Sequence, residues 1–195
     1  MTIKPIELVG TWDEGYALDT HTISSTYLGE DVYGNPKFDS NYSEIGKLLN
    51  SFKYSFEYGK LNEIMRLVEP FIRSWQVLQD VDFVIPVPSS KIRGYQPADE
   101  VAQKIASIIN AGYSNEILHK ESRIESKSLT GEAKQMLQGT IIKTKNATRE
   151  HNMLLIDDIY DSGTTLLECV SVLRRDPKIK KIYVLTLTKT RTWES

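Results

Sequence analysis

Four apolar residues, Met153-Leu154-Leu155-Ile156, run straight into two adjacent acids, Asp157-Asp158. After Ile159-Tyr160 comes a turn of small and polar residues, Asp161-Ser162-Gly163-Thr164-Thr165, and an apolar periodicity resumes at Leu166. A short apolar run bounded by polar residues is the pattern of a strand buried on both faces. Leu166, Val170 and Leu173 then recur at the spacing of one helical face, predicting a helix over Thr164 to Arg175. Strand, tight turn and helix in one stretch is the building unit of a parallel sheet, whose strands need crossover connections.

The rest of the chain repeats that alternation. Val81-Asp82-Phe83-Val84-Ile85 is a second short apolar run, ending at Pro86. The segment from Pro97 to Ile109 puts Ala98, Val101, Ala102, Ile105 and Ile109 on one helical face. A strand is expected around Ile117-Leu118 and a closing one from Ile182 to Leu187. Before these, Ile45, Leu48, Leu49 and Phe52, then Leu61 to Trp75, predict two helices. From Ile6 to about Phe38, β-branched and aromatic residues are broken by Asp13-Glu14-Gly15, Gly29-Glu30-Asp31 and Gly34-Asn35-Pro36, which predicts two or three antiparallel strands. The expected architecture is α/β, a mostly parallel twisted sheet flanked by helices with an N-terminal antiparallel β-hairpin. At 195 residues it is read as one compact unit, with residues 1–42 a β hood segment and 43–195 the core.

Composition removes several function classes. Hydrophobic residues make up 40% and charged residues 26%, ordinary for a folded soluble domain. No apolar run approaches the roughly 20 residues of a membrane span, and no secretion signal opens the chain, so a cytoplasmic location is expected. The single cysteine, Cys169, excludes an internal disulfide and a cysteine-rich zinc site. The three histidines, His21, His119 and His151, are too scattered to nominate a metal site. A net charge of -2 is not the basic excess that drives binding to a phosphate backbone.

In an α/β sheet ligands sit beyond the carboxyl ends of the strands, so the loops after Ile85, Leu118 and Ile156 matter most. Small residues from Ser162 to Thr165 let backbone N–H groups approach an anion at the positive end of a helix, with hydroxyls as further donors. Asp157 and Asp158 would repel a phosphate they faced, but they suit the vicinal hydroxyls of a ribose or a hydrated Mg²⁺. Taken singly, each of these residues is also an ordinary helix-capping residue; taken in order, they read sugar and phosphate together. No Gly-x-x-x-x-Gly-Lys occurs, which sets the P-loop aside.

That ordered segment closely resembles the signature by which type I phosphoribosyltransferases bind 5-phosphoribosyl-1-pyrophosphate (PRPP). The resemblance implies that Asp157 and Asp158 hold the ribose hydroxyls and Mg²⁺, and that Asp161, Ser162, Gly163, Thr164 and Thr165 hold the 5-phosphate. It also implies an acid/base role for Asp161 beside the acceptor, as in purine-salvage members of the family. After the first core strand, Pro86-Val87-Pro88-Ser89-Ser90-Lys91-Ile92-Arg93-Gly94 surrounds a turn with hydroxyls and cations. Ser89, Ser90, Lys91 and Arg93 suit a leaving pyrophosphate bridged by Mg²⁺. The polar stretch from His119 to Gln138, with Lys120, Arg123, Lys127 and Lys134, is expected to be a long mobile loop that closes over the pyrophosphate. Within it Arg123 and Lys127 are the preferred catalytic cations.

Pro-Val-Pro with its following basic residues, the Phe52-Lys53-Tyr54 triplet and the Asp157-Asp158-Ile159-Tyr160 core also resemble the ComF/ComFC-like, competence-associated branch of the superfamily. Members of that branch usually carry a cysteine zinc module near the N-terminus; here the segment from Trp12 to Phe38 stands in its place. The resemblance implies Mg²⁺-dependent transfer of a phosphoribosyl group to a nitrogen acceptor. The alternative it leaves open is a PRPP-binding regulatory protein acting through a protein or DNA partner in DNA uptake, recombination or phage defence. Homodimers are common in the superfamily.

Overall fold

The run from His151 to Tyr160 has six residues of strand pattern before its acids, and in the folded chain it forms the central strand of the main sheet. The computed structural model of the protein describes residues 3–54, 59–89, 96–120 and 141–191. In chain order the elements are β1 (Ile6–Glu7), β2 (Glu14–Ala17), β3 (Thr22–Glu30), β4 (Pro36–Tyr42), α1 (Glu44–Tyr54), α2 (Gly59–Ser74), a 3₁₀ turn (Gln76–Asp80) and β5 (Phe83–Pro86). There follow α3 (Pro97–Ile109), β6 (Gly112–Tyr113), β7 (Leu118–Lys120), β8 (Ile141–Lys143), β9 (His151–Tyr160), α4 (Thr164–Arg174) and β10 (Ile179–Lys189).

The main sheet has the order β1-β2-β10-β9-β5-β6. Its pairs from β2 through to β6 are parallel, and β1 adds an antiparallel edge. The strand period of two splits β9 between two cores: Leu154 and Ile156 face α1, α2 and α3, while Met153 and Leu155 face α4. Ile45, Leu49 and Phe52 of α1 and Ile64, Val68 and Ile72 of α2 are fully enclosed on the first side. Leu166, Cys169, Val170 and Leu173 of α4 are enclosed on the second, so Cys169 is a packing residue, and burial pushes its thiol up. Among the described residues no helix is long and apolar enough to cross a membrane.

Three differences from the sequence reading have physical causes. The N-terminal strands do not form one antiparallel unit: β1 and β2 join the main sheet, with Tyr16 opposite Leu185 of β10, and only β3 and β4 make a separate hairpin. Alternating apolar residues mark a strand without naming its partner, and the buried Ala17 and Leu18 decide for the sheet. The strand at Leu118 pairs antiparallel with β8 outside the main sheet, whose edge is the two-residue β6. Strands β9 and β10 also run beyond the apolar residues that announced them, pairing as far as Tyr160 and Lys189. This carries Asp157 and Asp158 inside the strand instead of into the loop after it.

Candidate active site

Past Ile156, β9 leaves the shelter of both helix layers, and its side chains from Asp157 to Tyr160 become half-buried. Asp157 and Asp158 sit there in a cleft of about 440 Å³ at the carboxyl ends of β5 and β9. Its walls include Pro86, Ser89, Gln96, Asp99, Asn115, Lys120, Ile159 and Thr165. A niche of about 70 Å³ adjoins it, lined by Asp157, Ile159 to Leu166, and therefore by every small residue of the turn. Asp157, Ile159 and Thr165 line both spaces, so the acid pair and the turn border adjoining cavities.

The turn is built for close backbone approach. Gly163 sits at the N-cap of α4 with φ 75°, a left-handed conformation that side chains resist. A Cβ on Gly163 would also lie 2.6 Å from the Tyr160 hydroxyl, so glycine is required there twice over. Ser162 and Thr164 hydroxyls meet at 2.9 Å at the start of α4, where the Thr164 N–H also donates to Ser162 Oγ at 3.4 Å. Asp161, exposed at the front of the turn, accepts a hydrogen bond from the Thr190 hydroxyl at 2.7 Å, which ties it to the end of β10.

The two acids are held differently. Asp157 accepts the backbone N–H of Asp158 at 2.8 Å. Burial, reinforced by the charge of Asp158, pushes the Asp157 carboxyl up to about 7, which the Asp158 N–H and the Lys53 ammonium only partly offset. Asp158 instead has a partner: Lys53 Nζ of α1 lies 2.7 Å from its Oδ2. Sequence reasoning placed Lys53 within a resembling triplet but gave it no role. A lysine following the buried Phe52 at the end of an amphipathic helix was the available signal.

Of the sequence-predicted residues, the structure gathers Asp157, Asp158, Ser89, Lys120 and Thr165 in the cleft, and Asp161, Ser162, Gly163 and Thr164 around the niche. Ser90, Lys91, Arg93, Arg123, Lys127 and Lys134 lie outside the described residues. Sequence reasoning missed Asp99 and Asn115, which are bonded to each other and, for Asp99, to the Tyr113 hydroxyl. Among the described residues no three His, Cys, Asp or Glu side chains are grouped to hold a metal ion. The acid pair alone still fits Mg²⁺, which takes one or two carboxylates and fills its octahedron with water and substrate phosphate oxygens. A second cavity, of about 500 Å³, opens between Phe83, Tyr113, His151 and Ile179, at the amino ends of the same strands, and holds none of the predicted residues.

A family model described as the phosphoribosyl transferase domain matches residues 60–194. The chain belongs to that family. It is 26% identical over 136 residues to the amidophosphoribosyltransferase of Escherichia coli (strain K12), covering 68% of this chain and 25% of that protein. It is 29% identical over 123 residues to the amidophosphoribosyltransferase of Pasteurella multocida (strain Pm70), covering 60% of this chain and 22% of that protein. The chain thus spans about a quarter of the length of the curated relatives it matches. Among solved structures, adenine phosphoribosyltransferase from Leishmania tarentolae aligns at 9% identity with a TM-score of 0.46, covering 95% of this chain and 94% of that one.

Proposed function

We propose that this chain binds PRPP and transfers its 5-phosphoribosyl group to a nitrogen acceptor with release of pyrophosphate. The observation that supports the reading is a shared lining: carboxylates suited to ribose hydroxyls and a turn suited to one phosphate border an adjoining cleft and niche, with Asp157, Ile159 and Thr165 common to both.

In this reading the N–H groups at the start of α4 and the hydroxyls of Ser162, Thr164 and Thr165 hold the 5-phosphate. Asp157 and Asp158 accept hydrogen bonds from the two ribose hydroxyls and orient the ring. The C1–O bond to pyrophosphate breaks with its electron pair leaving on the pyrophosphate, and the acceptor nitrogen forms the new bond to C1. Asp161 takes the proton that the acceptor nitrogen loses. Ser89 and Lys120 in the cleft wall, together with Ser90, Lys91, Arg93, Arg123 and Lys127, stabilise the departing charge. Mg²⁺, when bound, neutralises phosphate oxygens; Asp157 and Asp158 would contribute its protein ligands.

The test incubates the full chain with PRPP, Mg²⁺ and a panel of nucleobases and amines, and measures pyrophosphate release. Release is expected with at least one acceptor and is expected to vanish in the D157N/D158N variant. Release that survives both substitutions removes this site from the reaction.

A second reading, the ComF-like regulatory protein, is favoured by the β3–β4 hairpin, where Tyr27, Leu28, Val32, Tyr33 and Phe38 are all exposed. Apolar surface of that kind suits a partner, whether a protein, a DNA-processing assembly or a second copy of the chain. PRPP binding without turnover, with loss of a partner on Tyr33→Ser plus Phe38→Ser, is its expected signature.

A further inference from the structure

Lys53 stands before the 60–194 span that defines the family match, yet it is the side chain that grips Asp158. The contact is not a loose surface pair: at 2.7 Å, the Lys53 side chain is 10% exposed and that of Asp158 23%. The helix that delivers Lys53 is pinned along its length. Ser43 caps its start, accepting the Gly46 N–H at 3.0 Å, and its own N–H donates to the His21 carbonyl at 3.1 Å. A Cβ on Gly46 would lie 2.4 Å from that same carbonyl, so α1 packs against the chain backbone at His21. Ile45, Leu49 and Phe52 then lock one face of α1 into the core.

The far side of Asp158 is braced as well. The Thr188 hydroxyl donates to the Asp158 carbonyl at 3.4 Å and meets His21 Nδ1 at 3.1 Å. Asp158 belongs to the cleft wall, whereas Lys53, among the described residues, does not. The ammonium engages one carboxylate oxygen, Oδ2, of a residue that still lines the cleft, and a carboxylate has further acceptor positions beyond that one contact.

Resting on the PRPP reading above, we infer that Lys53 is a positioning residue: it fixes the Asp158 carboxylate so that the site recognises a ribose with both hydroxyls. An aspartate without that contact turns about its side-chain bonds and presents its acceptors to water instead of to the sugar. A neutral side chain at residue 53 would therefore weaken recognition of the sugar hydroxyls and leave recognition of phosphate groups intact.

The experiment compares ribose 5-phosphate, 2-deoxyribose 5-phosphate and inorganic pyrophosphate by calorimetric titration of the full chain and of K53M and K53R. Wild type is expected to prefer ribose 5-phosphate to its deoxy analogue. K53M is expected to lose about tenfold in ribose 5-phosphate affinity, the worth of one oriented charge-assisted hydrogen bond, and most of the preference, while pyrophosphate binding stays unchanged. K53R keeps the cation on Asp158 and is expected to keep the preference. A K53M that retains full preference overturns the inference, as does one that loses all three ligands equally, which marks a merely structural lysine. Should K53M fail to fold, a folded K53R without the preference overturns it too. A wild type that binds neither sugar phosphate nor PRPP fails differently, since it overturns the PRPP reading itself.

Discussion

Asp176, at the amino end of the sheet, and Asp157, at its carboxyl end, are both withdrawn from bulk water, yet their carboxyl groups move in opposite directions. Asp176 accepts from Lys143 Nζ at 2.5 Å and from the backbone N–H groups of Ala147 at 2.9 Å and Lys178 at 3.1 Å. The Lys143 contact, with the two backbone donors, holds it well below the usual carboxylate range. Asp157 has one backbone donor and a second carboxylate as its neighbour, and burial pushes it up to about 7. Burial of Asp176 is thus matched by partners, as in a group that only maintains the fold. That of Asp157 is left incompletely matched, as in a group that awaits hydroxyls or a cation from a ligand. The larger of the two cavities lies at the amino end, so volume alone does not mark the site.

The contrast breaks most visibly if the two ends respond alike to loss of charge. D157N, which leaves the Lys53–Asp158 pair intact, is expected to reduce PRPP affinity by roughly tenfold, one charge-assisted hydrogen bond at about 1.5 kcal/mol, without lowering the melting temperature. D176N is expected to do the reverse, lowering the melting temperature by several degrees with PRPP titration unchanged, because it strands Lys143. Equal effects of the two variants on binding would dissolve the distinction.

The pH dependence of stability sharpens it. The folded-state value of Asp157 lies above its unfolded value, so the folded chain holds an extra proton between about pH 4 and pH 7 and loses stability as pH rises through that window. D157N removes this loss and is expected to be more stable than wild type at pH 8, on the order of 2 kcal/mol after allowing for the water of the cleft. Asp176 has the opposite sign. Its contribution is present above the unfolded carboxylate value and is lost in acid, so the D176N deficit should be full at neutral pH and shrink as pH falls. Urea titrations of wild type and both variants across pH 3 to 8 decide both expectations.

Gly163→Ala is expected to cost about 1–3 kcal/mol, from a positive φ and contact with the Tyr160 hydroxyl, and to weaken ribose 5-phosphate binding in calorimetry. The smallest effect is expected for Tyr113→Phe. Tyr113 lines the amino-end cavity, and its hydroxyl donates to Asp99 in the wall of the cleft, so it links the two ends. Removing one such bond should change PRPP affinity about threefold or less.

What the sequence makes legible follows from how local each feature is. The strand, acid pair, turn and helix from Met153 to Leu166 are contiguous, so the candidate site's residues in this segment and their order along the backbone can be read directly. The parallel sheet follows from alternation of elements, but β1 and β2 could not be assigned to it, because a period of two fits a hairpin and a sheet edge equally. β8 is three residues long and has no pattern to read. Lys53 is hidden for a different reason: its partner is Asp158, and only the packing of α1 across the sheet brings the two together.

That contact bears on how the protein can be taken apart. A chimaera cut at residue 60, where the family match begins, would transplant the acid pair and the turn intact but leave their counter-charge on the donor scaffold. The unit that an engineer must move together therefore reaches back at least to Ser43, the cap that sets the angle of the helix bearing Lys53.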